Sequence, residues 1–456
     1  MKFLYSDEPI IACSTCSHAN AALAVLRISG FQDVNSFKKF LPALSGPIEP
    51  RRVYYTKLVL QGQLVDDICL TYFEGPRSFN GENILELSIH GNTLNIERVL
   101  DLFVTHGGCR EASAGEFTYR ALKNKKLSLS QVEGLDLFLN ANSQFALGQG
   151  MDLLSGNLHA IYLDLLNLFL IHKSSLELSI DFSDDVGEET ARKYFRESLE
   201  NFSKKFQTLV KRVAPIGPNL IQPEIVLAGL PNSGKSSLFN HLLSEDRAIV
   251  SAIPGTTRDY LTENLMIEGV KYKLVDTAGI RNAIELIESE GIKRTKEKLK
   301  YSFFSILLVN PFEMVDEFSE LLTQKFDLIY FTHADLPRFE DAKTRFLRTY
   351  PDCGPIGAVN IKALSHSWDL ELYKLVNNKY LSIVASSPIL LERHKSLILQ
   401  LNTTLLRYID LSRHEEDVGI LSMELNSLGH CISELIGIIS PDDILDSLFS
   451  NFCIGK

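Results

Sequence analysis

The alternation of hydrophobic and polar positions divides the chain into four parts. In residues 1–118, short alternating runs such as "LAVLRISG" and "ILELSIHG" are separated by turns containing glycine and proline, which is typical of an α+β domain. Residues 119–220 have a helical pattern instead. In that part, apolar side chains recur at spacings of four and three and are predicted to share one helix face: Leu154, Leu158, Ile161, Leu165 and Leu168.

The third part, residues 221–380, alternates β-rich runs ("EIVLAGL", "YKLVDTAG", "SILLVN", "DLIYFTH", "PIGAVN") with helical stretches. This order predicts a parallel sheet covered by helices on both faces. Residues 381–456 are again helical, with one helix predicted near Ile420 to Ile438 and a last helix starting near Ser440. We therefore expect a multidomain α+β and α/β protein whose helical domain contains the α/β domain as an insertion. Two separate helical units would give the same pattern.

Composition narrows the class of protein. The 456 residues are 45% hydrophobic and 23% charged, with a formal net charge of −11, so a nucleic-acid contact would require a local basic patch. The N-terminus has no sustained apolar run, and the most apolar helical stretch contains Asp164 and other polar residues, so neither a secretory signal nor a membrane span is expected. Seven scattered cysteines, including a lone C-x-x-C at Cys13 and Cys16, indicate a reducing compartment rather than a disulfide framework or a zinc site. We expect a cytoplasmic protein.

The strongest motif is "GLPNSGKSS", which fits G-x-x-x-x-G-K-[ST] with Gly229, Gly234, Lys235 and Ser236. It follows the apolar run "EIVLA" and precedes a helical run. Glycines let backbone N–H groups turn toward phosphate oxygens, the lysine reaches the β/γ-phosphates, and the serine hydroxyl ligates Mg²⁺. The motif predicts a nucleoside triphosphate site.

Two further motifs follow at suitable spacing. In "PGTTRDY" we assign Thr257 to the Mg²⁺ shell, and in "KLVDTAGI" we expect Asp276 to hold the metal through water, with the Gly279 N–H near the γ-phosphate. Together with the phosphate loop they predict a Mg²⁺-dependent NTPase switch.

The base is predicted to be guanine. "THAD" (Thr332, His333, Ala334, Asp335) stands where N-K-x-D is usual, and it keeps the aspartate that accepts hydrogen bonds from the guanine edge. The histidine ring could stack on the base in place of the lysine stem. The base-reading loop is expected at "NIKALS", at the residues Lys362, Ala363 and Leu364.

Hydrolysis needs a group that orients the attacking water. It also needs a positive charge that stabilises the transition state. Ile280 follows "DTAG" where a glutamine would orient water, and no arginine can be singled out as a finger. Asn232 and the carbonyl groups of "SAIPGTT" could hold a monovalent cation against the phosphates. Glu288 could orient water, or it could be an ordinary solvated helix charge.

At this point the motifs resemble a known family. "GLPNSGKSSLFN", "PGTTRDY", "DTAGIR", "ESEGIKRT" and the terminal "FCIGK", together with "LRISG", "GPRSFNGENILELSIHG" and "AGEFTYRALKNKKLSLSQVEG", resemble the tRNA modification GTPases called MnmE or TrmE over the whole chain. The resemblance implies a homodimeric, potassium-activated GTPase that joins a flavoprotein partner, MnmG or GidA, in a heterotetramer. The pair adds a carboxymethylaminomethyl or aminomethyl group to the wobble uridine of certain tRNAs. The one-carbon unit comes from 5-formyl- or 5,10-methylene-tetrahydrofolate, which implies that residues 1–118 bind folate and dimerise.

The resemblance also implies roles for individual residues. Potassium would be held by Asn232, Ser251, Ile253 and Thr256, Mg²⁺ by Ser236 and Thr257, and the attacking water by Glu288. Folate contacts would fall to Arg27, Glu86, Lys126 and Lys456, the first three of which otherwise read as ordinary surface charges. The residues expected to contact GTP are Asn232, Ser233, Gly234, Lys235, Ser236, Ser237, Ser251, Ala252, Ile253, Pro254, Gly255, Thr256, Thr257, Asp276, Thr277, Ala278, Gly279, Thr332, His333, Ala334, Asp335, Lys362, Ala363 and Leu364.

The C-terminal "CIGK" does not fit a prenylation box, because glycine and lysine follow the cysteine where aliphatic residues are needed. A free cysteine is usually a small buried residue. The resemblance implies that the tail reaches the folate domain, so Cys453 is a candidate catalytic or site-lining residue. An alternative function is a regulatory GTPase switch that binds RNA or the ribosome without folate chemistry.

Overall fold

The computed structural model describes residues 7–15, 19–181, 187–213, 220–244, 261–277, 298–313, 322, 324–350, 356–360, 366–385, 388–389, 391–413, 418–437 and 455. The chain forms two compact units. The first comprises Met1–Asp136, Met151–Leu170 and Asn426–Lys456, and the second comprises Leu137–Gly150 and Ile171–Leu425.

The first unit is built on a six-stranded sheet in the order β3-β4-β5-β2-β1-β6. Its strands are β1 (Ile10–Cys13), β2 (Leu23–Ser29), β3 (Val53–Leu60), β4 (Gln63–Phe73), β5 (Ile84–His90) and β6 (Arg110–Glu111). Neighbours are antiparallel except β1 and β6, which are parallel. The register places Arg27 opposite Glu86 on one side and opposite Ala12 on the other.

Alternation along these strands separates a core face from a second face. Leu26, Ile28 and Leu87 are fully buried and pack in one cluster with Phe37 of a 3₁₀ helix (Val34–Phe40) and Phe103 of helix α1 (Thr93–His106). Since successive strand side chains point to opposite faces, Arg27 and Glu86 lie on the second face. The alternating runs therefore predicted the strands correctly.

Helices occupy most of the next segment: α2 (Glu116–Lys123), α3 (Leu129–Leu139), α4 (Gln144–Leu154), α5 (Asn157–Asp181) and α6 (Glu188–Val210). The single helix face predicted from Leu154 to Leu168 is wrong at its start. The chain breaks between α4 and α5, where Gly156 has a left-handed φ of 84°, so Leu154 belongs to the earlier helix.

The second unit contains another six-stranded sheet, in the order β12-β11-β10-β7-β9-β8. Its strands are β7 (Glu224–Ala228), β8 (Leu261–Ile267), β9 (Val270–Asp276), β10 (Phe304–Val309), β11 (Leu328–Phe331) and β12 (Ile356–Ala358), and the helices among them are α7 (Lys235–Ser244), α8 (Phe339–Thr349) and α9 (His366–Val384). Five strands are parallel, as predicted, and the edge strand β8 runs antiparallel to β9.

Helices α10 (Glu392–Arg413) and α11 (Val418–Ile436) follow the sheet, and α11 lies close to the predicted bounds. The helix predicted to start near Ser440 lies outside the described residues. Within the second unit, fully buried His172 of α5 places Nδ1 2.9 Å from the Ser198 hydroxyl and Nε2 2.8 Å from the Tyr408 hydroxyl. This network joins helices that precede the sheet to a helix that follows it.

No single helix in the described ranges has the length and hydropathy needed to cross a membrane; only a bent pair, α4 with α5, meets the criterion together.

Candidate functional site

The phosphate loop lies at the carboxyl end of β7, between β9 and β10, where the strand order reverses direction. This is the position at which open α/β sheets bind ligands. Three residues of the loop have a positive φ: Gly229 with 148°, Asn232 with 60° and Gly234 with 95°. A Cβ on Gly229 would overlap the Leu308 carbonyl oxygen and lie 2.5 Å from the Ser233 hydroxyl. Glycine is therefore required where the loop turns.

Lys235 is the first residue of α7 and is buried. Its ammonium donates hydrogen bonds to the carbonyl oxygens of Gly229 (2.8 Å) and Leu230 (2.7 Å). Burial lowers the pKa of Lys235, and the carboxylate of Asp276 partly opposes this shift. The cation is thus fixed beside the loop at the start of a helix, where both contribute positive potential.

Ser236 and Asp276 meet at the same edge of the sheet. The Ser236 hydroxyl donates to Asp276 Oδ2 at 2.9 Å, and Asp276, at the end of β9, is fully buried. The next residue, Thr277, donates from Oγ1 to the Leu227 carbonyl oxygen at 2.9 Å, which ties the end of β9 to β7. Hydroxyl and carboxylate oxygens are the donors that Mg²⁺ prefers, so this pair fits the metal.

Ser233 is 1% exposed, and its hydroxyl has no hydrogen-bond partner among the described residues. A buried hydroxyl without a partner is costly. Its position inside the phosphate loop gives it a natural acceptor in a phosphate oxygen.

The base-reading motif follows β11. Buried Thr332 donates from Oγ1 to the Val309 carbonyl oxygen at 3.2 Å. The Thr332 hydroxyl oxygen also lies 2.9 Å from His333 Nδ1. His333 has a φ of 63°, and Ala334 and exposed Asp335 follow in a turn. The histidine is held by a neighbouring hydroxyl, and the carboxylate of Asp335 is exposed at the same sheet edge as the phosphate loop.

A second cluster lies in the first unit, on the second face of its sheet. Arg27 donates from Nε (3.0 Å) and Nη2 (2.7 Å) to the same oxygen of Glu86. The Arg27 guanidinium carbon lies 5.6 Å from the ring centroid of Phe79 and 5.7 Å from that of Phe117. Lys126 donates from Nζ to the Pro76 carbonyl oxygen at 3.0 Å. Arg27, Glu86 and Lys126 are therefore brought together around the loop of residues 75–83.

One described residue of the C-terminal tail reaches this unit's first strand. The Ser14 hydroxyl donates to the Gly455 carbonyl oxygen at 3.0 Å. Gly455 is buried with φ 95°, and a Cβ there would overlap the Cys13 carbonyl oxygen and lie 3.0 Å from the Ser14 Cα. Because Ala12 pairs with Arg27, the tail lies one strand away from the cluster.

Known protein families match both regions of the chain that contain these clusters. The family described as GTP-binding protein TrmE N-terminus matches residues 9–126, and the family described as 50S ribosome-binding GTPase matches residues 224–332. The tRNA modification GTPase MnmE of Aquifex aeolicus is 30% identical over 464 residues, covering 98% of this chain and 100% of the relative. The MnmE of Alkaliphilus metalliredigens is 30% identical over 469 residues, covering 99% and 100%.

This chain belongs to the MnmE family. Among solved structures, the G domain of the T. maritima FeoB iron transporter matches 35% of this chain and 99% of that chain, at 21% identity and a TM-score of 0.25.

Several predicted site residues lie outside the described ranges and stay predictions: Ser251, Ala252, Ile253, Pro254, Gly255, Thr256, Thr257, Ala278, Gly279, Glu288, Lys362, Ala363, Leu364, Cys453 and Lys456. In the described part of the chain, no three His, Cys, Asp or Glu side chains are grouped as a metal site. Of the lone C-x-x-C pair, Cys13 is buried and Cys16 lies outside the described residues.

Sequence reasoning missed Phe79, Phe117 and the buried charge network behind them. Arg120 donates to Glu82 (3.1 Å) and to Glu116 (3.0 Å), and its own side chain is 6% exposed. The available signal was "SFNGE" and "EFTYR", in which each aromatic residue lies within three residues of a charge. Charges are read as exposed unless a partner is known, and Glu82 is distant from Arg120 in the sequence.

Proposed function

We propose that this chain is a potassium-activated GTPase that acts, with a flavoprotein partner, in the modification of the wobble uridine of certain tRNAs using a folate one-carbon unit. The observation that carries the proposal is the presence of two sites in one chain. A phosphate loop with a Ser236–Asp276 pair lies in one unit, and a hydrogen-bonding cluster at Arg27 and Glu86 lies in the other. MnmE relatives that match nearly the full length support the same combination.

In the GTPase site, backbone N–H groups of the loop and the ammonium of Lys235 bind the phosphates, and Asp335 accepts from the guanine edge. Ser236 and Asp276 would hold Mg²⁺, together with Thr257, and the metal neutralises charge on the phosphates when bound. Asn232 is exposed on the loop, so its amide oxygen is accessible to a cation from solvent. With Ser251, Ile253 and Thr256 it would hold K⁺, and Glu288 would orient the attacking water.

In the folate site, Arg27 and Glu86 offer a matched pair of hydrogen-bonding atoms. Both donors that Arg27 directs at Glu86 use one carboxylate oxygen, Oε1. Arg27 Nη1 and Glu86 Oε2 remain for a ligand. An N–H donor beside a carbonyl acceptor, as on the aminopyrimidinone edge of a folate, complements them. Lys126 and Lys456 would bind anionic or carbonyl groups of the same ligand.

The domain arrangement is part of the proposal. We infer that residues 221–380 form a GTPase domain inserted into a helical domain made of residues 119–220 and 381–456. Besides the His172 network, Gln207 donates to Asn402 at 3.2 Å. A helix that precedes the GTPase sheet in the sequence therefore packs against one that follows it. The functional unit is a cytoplasmic homodimer that joins MnmG or GidA and tRNA, with residues 1–118 supplying folate binding and dimerisation.

A regulatory GTPase that binds RNA or the ribosome is the alternative, and the description of the family matching residues 224–332 is consistent with it. That alternative gives no role to the Arg27–Glu86 pair or to the tail residue Gly455 beside β1. The two-site proposal accounts for both.

GTP hydrolysis by the full chain, measured in potassium and then in sodium salt of equal ionic strength, tests the proposal. We expect potassium to raise the rate about tenfold or more, because a correctly placed cation stabilises transition-state charge. Asn232→Ala should remove the difference, whereas Asn240→Ala, an exposed control on α7, should keep it. Equal wild-type rates in both salts would contradict potassium activation.

A further inference from the structure

We propose that Phe79 is a ligand-contacting residue whose exposed ring stacks on the flat heteroaromatic ring of a pteridine bound at Arg27 and Glu86. This inference rests on the folate site of the proposed function and adds a residue that selects for an aromatic ligand. Four features of the first unit support it.

The first feature is the placement of the Phe79 ring. Phe79 is 39% exposed, although it sits 5.6 Å from the Arg27 guanidinium carbon. Phe117, the other ring near Arg27, is fully buried and packs with Ile10 and Ala12. Phe117 therefore belongs to the core, whereas Phe79 presents aromatic surface to solvent beside a charged pair. Planar rings and guanidinium groups are both good stacking partners.

The second feature is the rigidity of the loop that carries Phe79. Glu82 accepts from Arg120 (3.1 Å), from the Ser29 hydroxyl (2.8 Å) and from the Asn80 amide (3.2 Å). Asn80 is itself fully buried, and its Oδ1 accepts from the Glu82 backbone N–H at 3.0 Å. Arg120 also binds Glu116 at 3.0 Å. The residues directly after Phe79 are thus held by a buried, charge-assisted network, which prearranges its backbone.

The third feature is that the same loop contacts the third candidate folate residue. Besides the bond from Lys126 to the Pro76 carbonyl oxygen, Asn124 donates to the Asn80 carbonyl oxygen at 2.8 Å. The Lys126 Cγ lies 3.3 Å from the position of a Cβ on Gly81, so the lysine stem packs closely on the loop. Phe79 lies between the loop positions that Lys126 contacts.

The fourth feature is the hydrogen-bonding edge of the Arg27–Glu86 pair. Arg27 Nη1 and Glu86 Oε2 have no partner within the residues that the structure covers. A ring that meets these two atoms edge-on is planar and lies beside Arg27, within reach of the Phe79 ring. Hydrogen bonds then fix the orientation of the ring and stacking supplies affinity, as in other small-molecule sites.

Binding of 5-formyl-tetrahydrofolate to the full chain, measured by titration calorimetry, tests the inference. Phe79→Leu keeps the apolar volume but removes the π-face, and we expect it to weaken binding about tenfold, the size found when an aromatic stacking partner is removed. Phe79→Tyr should restore wild-type affinity. Phe312→Leu changes a phenylalanine of similar exposure, 42%, in the other unit and should have no effect.

The outcomes separate the two proposals. If wild-type protein binds the folate and Phe79→Leu binds equally well, the role of Phe79 is refuted while the folate site stands. If wild-type protein does not bind the folate, the folate part of the proposed function is refuted, and this inference with it. A circular dichroism spectrum and a thermal unfolding midpoint of Phe79→Leu equal to those of wild type would show that the variant is folded.

Discussion

Replacing His172 with glutamine should remove a pH-dependent component of stability from the helices around the GTPase sheet. His172 is fully buried, and burial lowers its pKa from the ordinary 6.5 to about 4. Its two ring nitrogens lie within hydrogen-bond distance of the Ser198 and Tyr408 hydroxyls, which pair well with a neutral imidazole. Glutamine can also pair with two hydroxyls but does not titrate.

The sign and size follow from the two pKa values. The pKa of His172 in the folded state lies below its value in the unfolded state. The contribution of His172 to stability is therefore fully present above pH 6.5 and is lost as the pH falls toward about 4. Each pH unit inside this window costs up to about 1.4 kcal/mol. Lowering the pH from 7 to 5 should therefore destabilise this region by about 2 kcal/mol in the wild type.

Hydrogen exchange followed by mass spectrometry, at several urea concentrations, gives the local free energy of opening for peptides from α5, α6 and α10. In wild type these peptides should lose free energy of opening when the pH falls from 7 to 5. We expect this loss to be smaller by about 2 kcal/mol in His172→Gln. His430→Gln changes a histidine with a 59% exposed side chain and should behave like wild type. The same pH dependence in wild type and His172→Gln would show that His172 is not the titrating group.

Three further substitutions test the two sites. Gly229→Ala places a Cβ against the Leu308 carbonyl, so fluorescent GDP should bind at least about tenfold more weakly; unchanged affinity would contradict the loop geometry. Asp276→Asn removes the charged partner of the Ser236 hydroxyl, so half-maximal hydrolysis should need about tenfold more Mg²⁺, and an unaltered Mg²⁺ titration would exclude that role. Gly455→Ala meets Cys13 at a left-handed φ, so folate affinity should fall while GDP affinity is kept; equal folate affinity would separate the tail from the site.

The sheet of the second unit was predictable because its parallel strands are covered on both faces. Such strands are continuous apolar runs, and all six residues of Phe304–Val309 are buried. Strand Leu261–Ile267 was missed because it lies at the edge, alternates with polar residues and runs antiparallel. The break at Gly156 was missed because the spacing from Leu154 to Leu158 fits a helix whether or not the chain turns between them.

The phosphate loop was predictable for a different reason, since its function depends on consecutive residues. Gly229 and Gly234 contribute backbone geometry and Lys235 contributes its ammonium, at a spacing that a short motif specifies. The surroundings of Arg27 could not be predicted in the same way. They depend on Glu82 and Arg120, which are brought together by strand pairing and helix packing rather than by sequence spacing. No single-sequence pattern encodes a contact between charges at that separation.

We propose that this chain acts in wobble uridine modification through its GTPase site. Nucleoside mass spectrometry of tRNA from a strain lacking this gene, complemented with wild-type protein or with Lys235→Ala, tests it most directly. We predict that modified wobble uridine is lost in the deletion strain, returns with the wild type and stays absent with Lys235→Ala. Normal modification in the deletion strain would contradict the account.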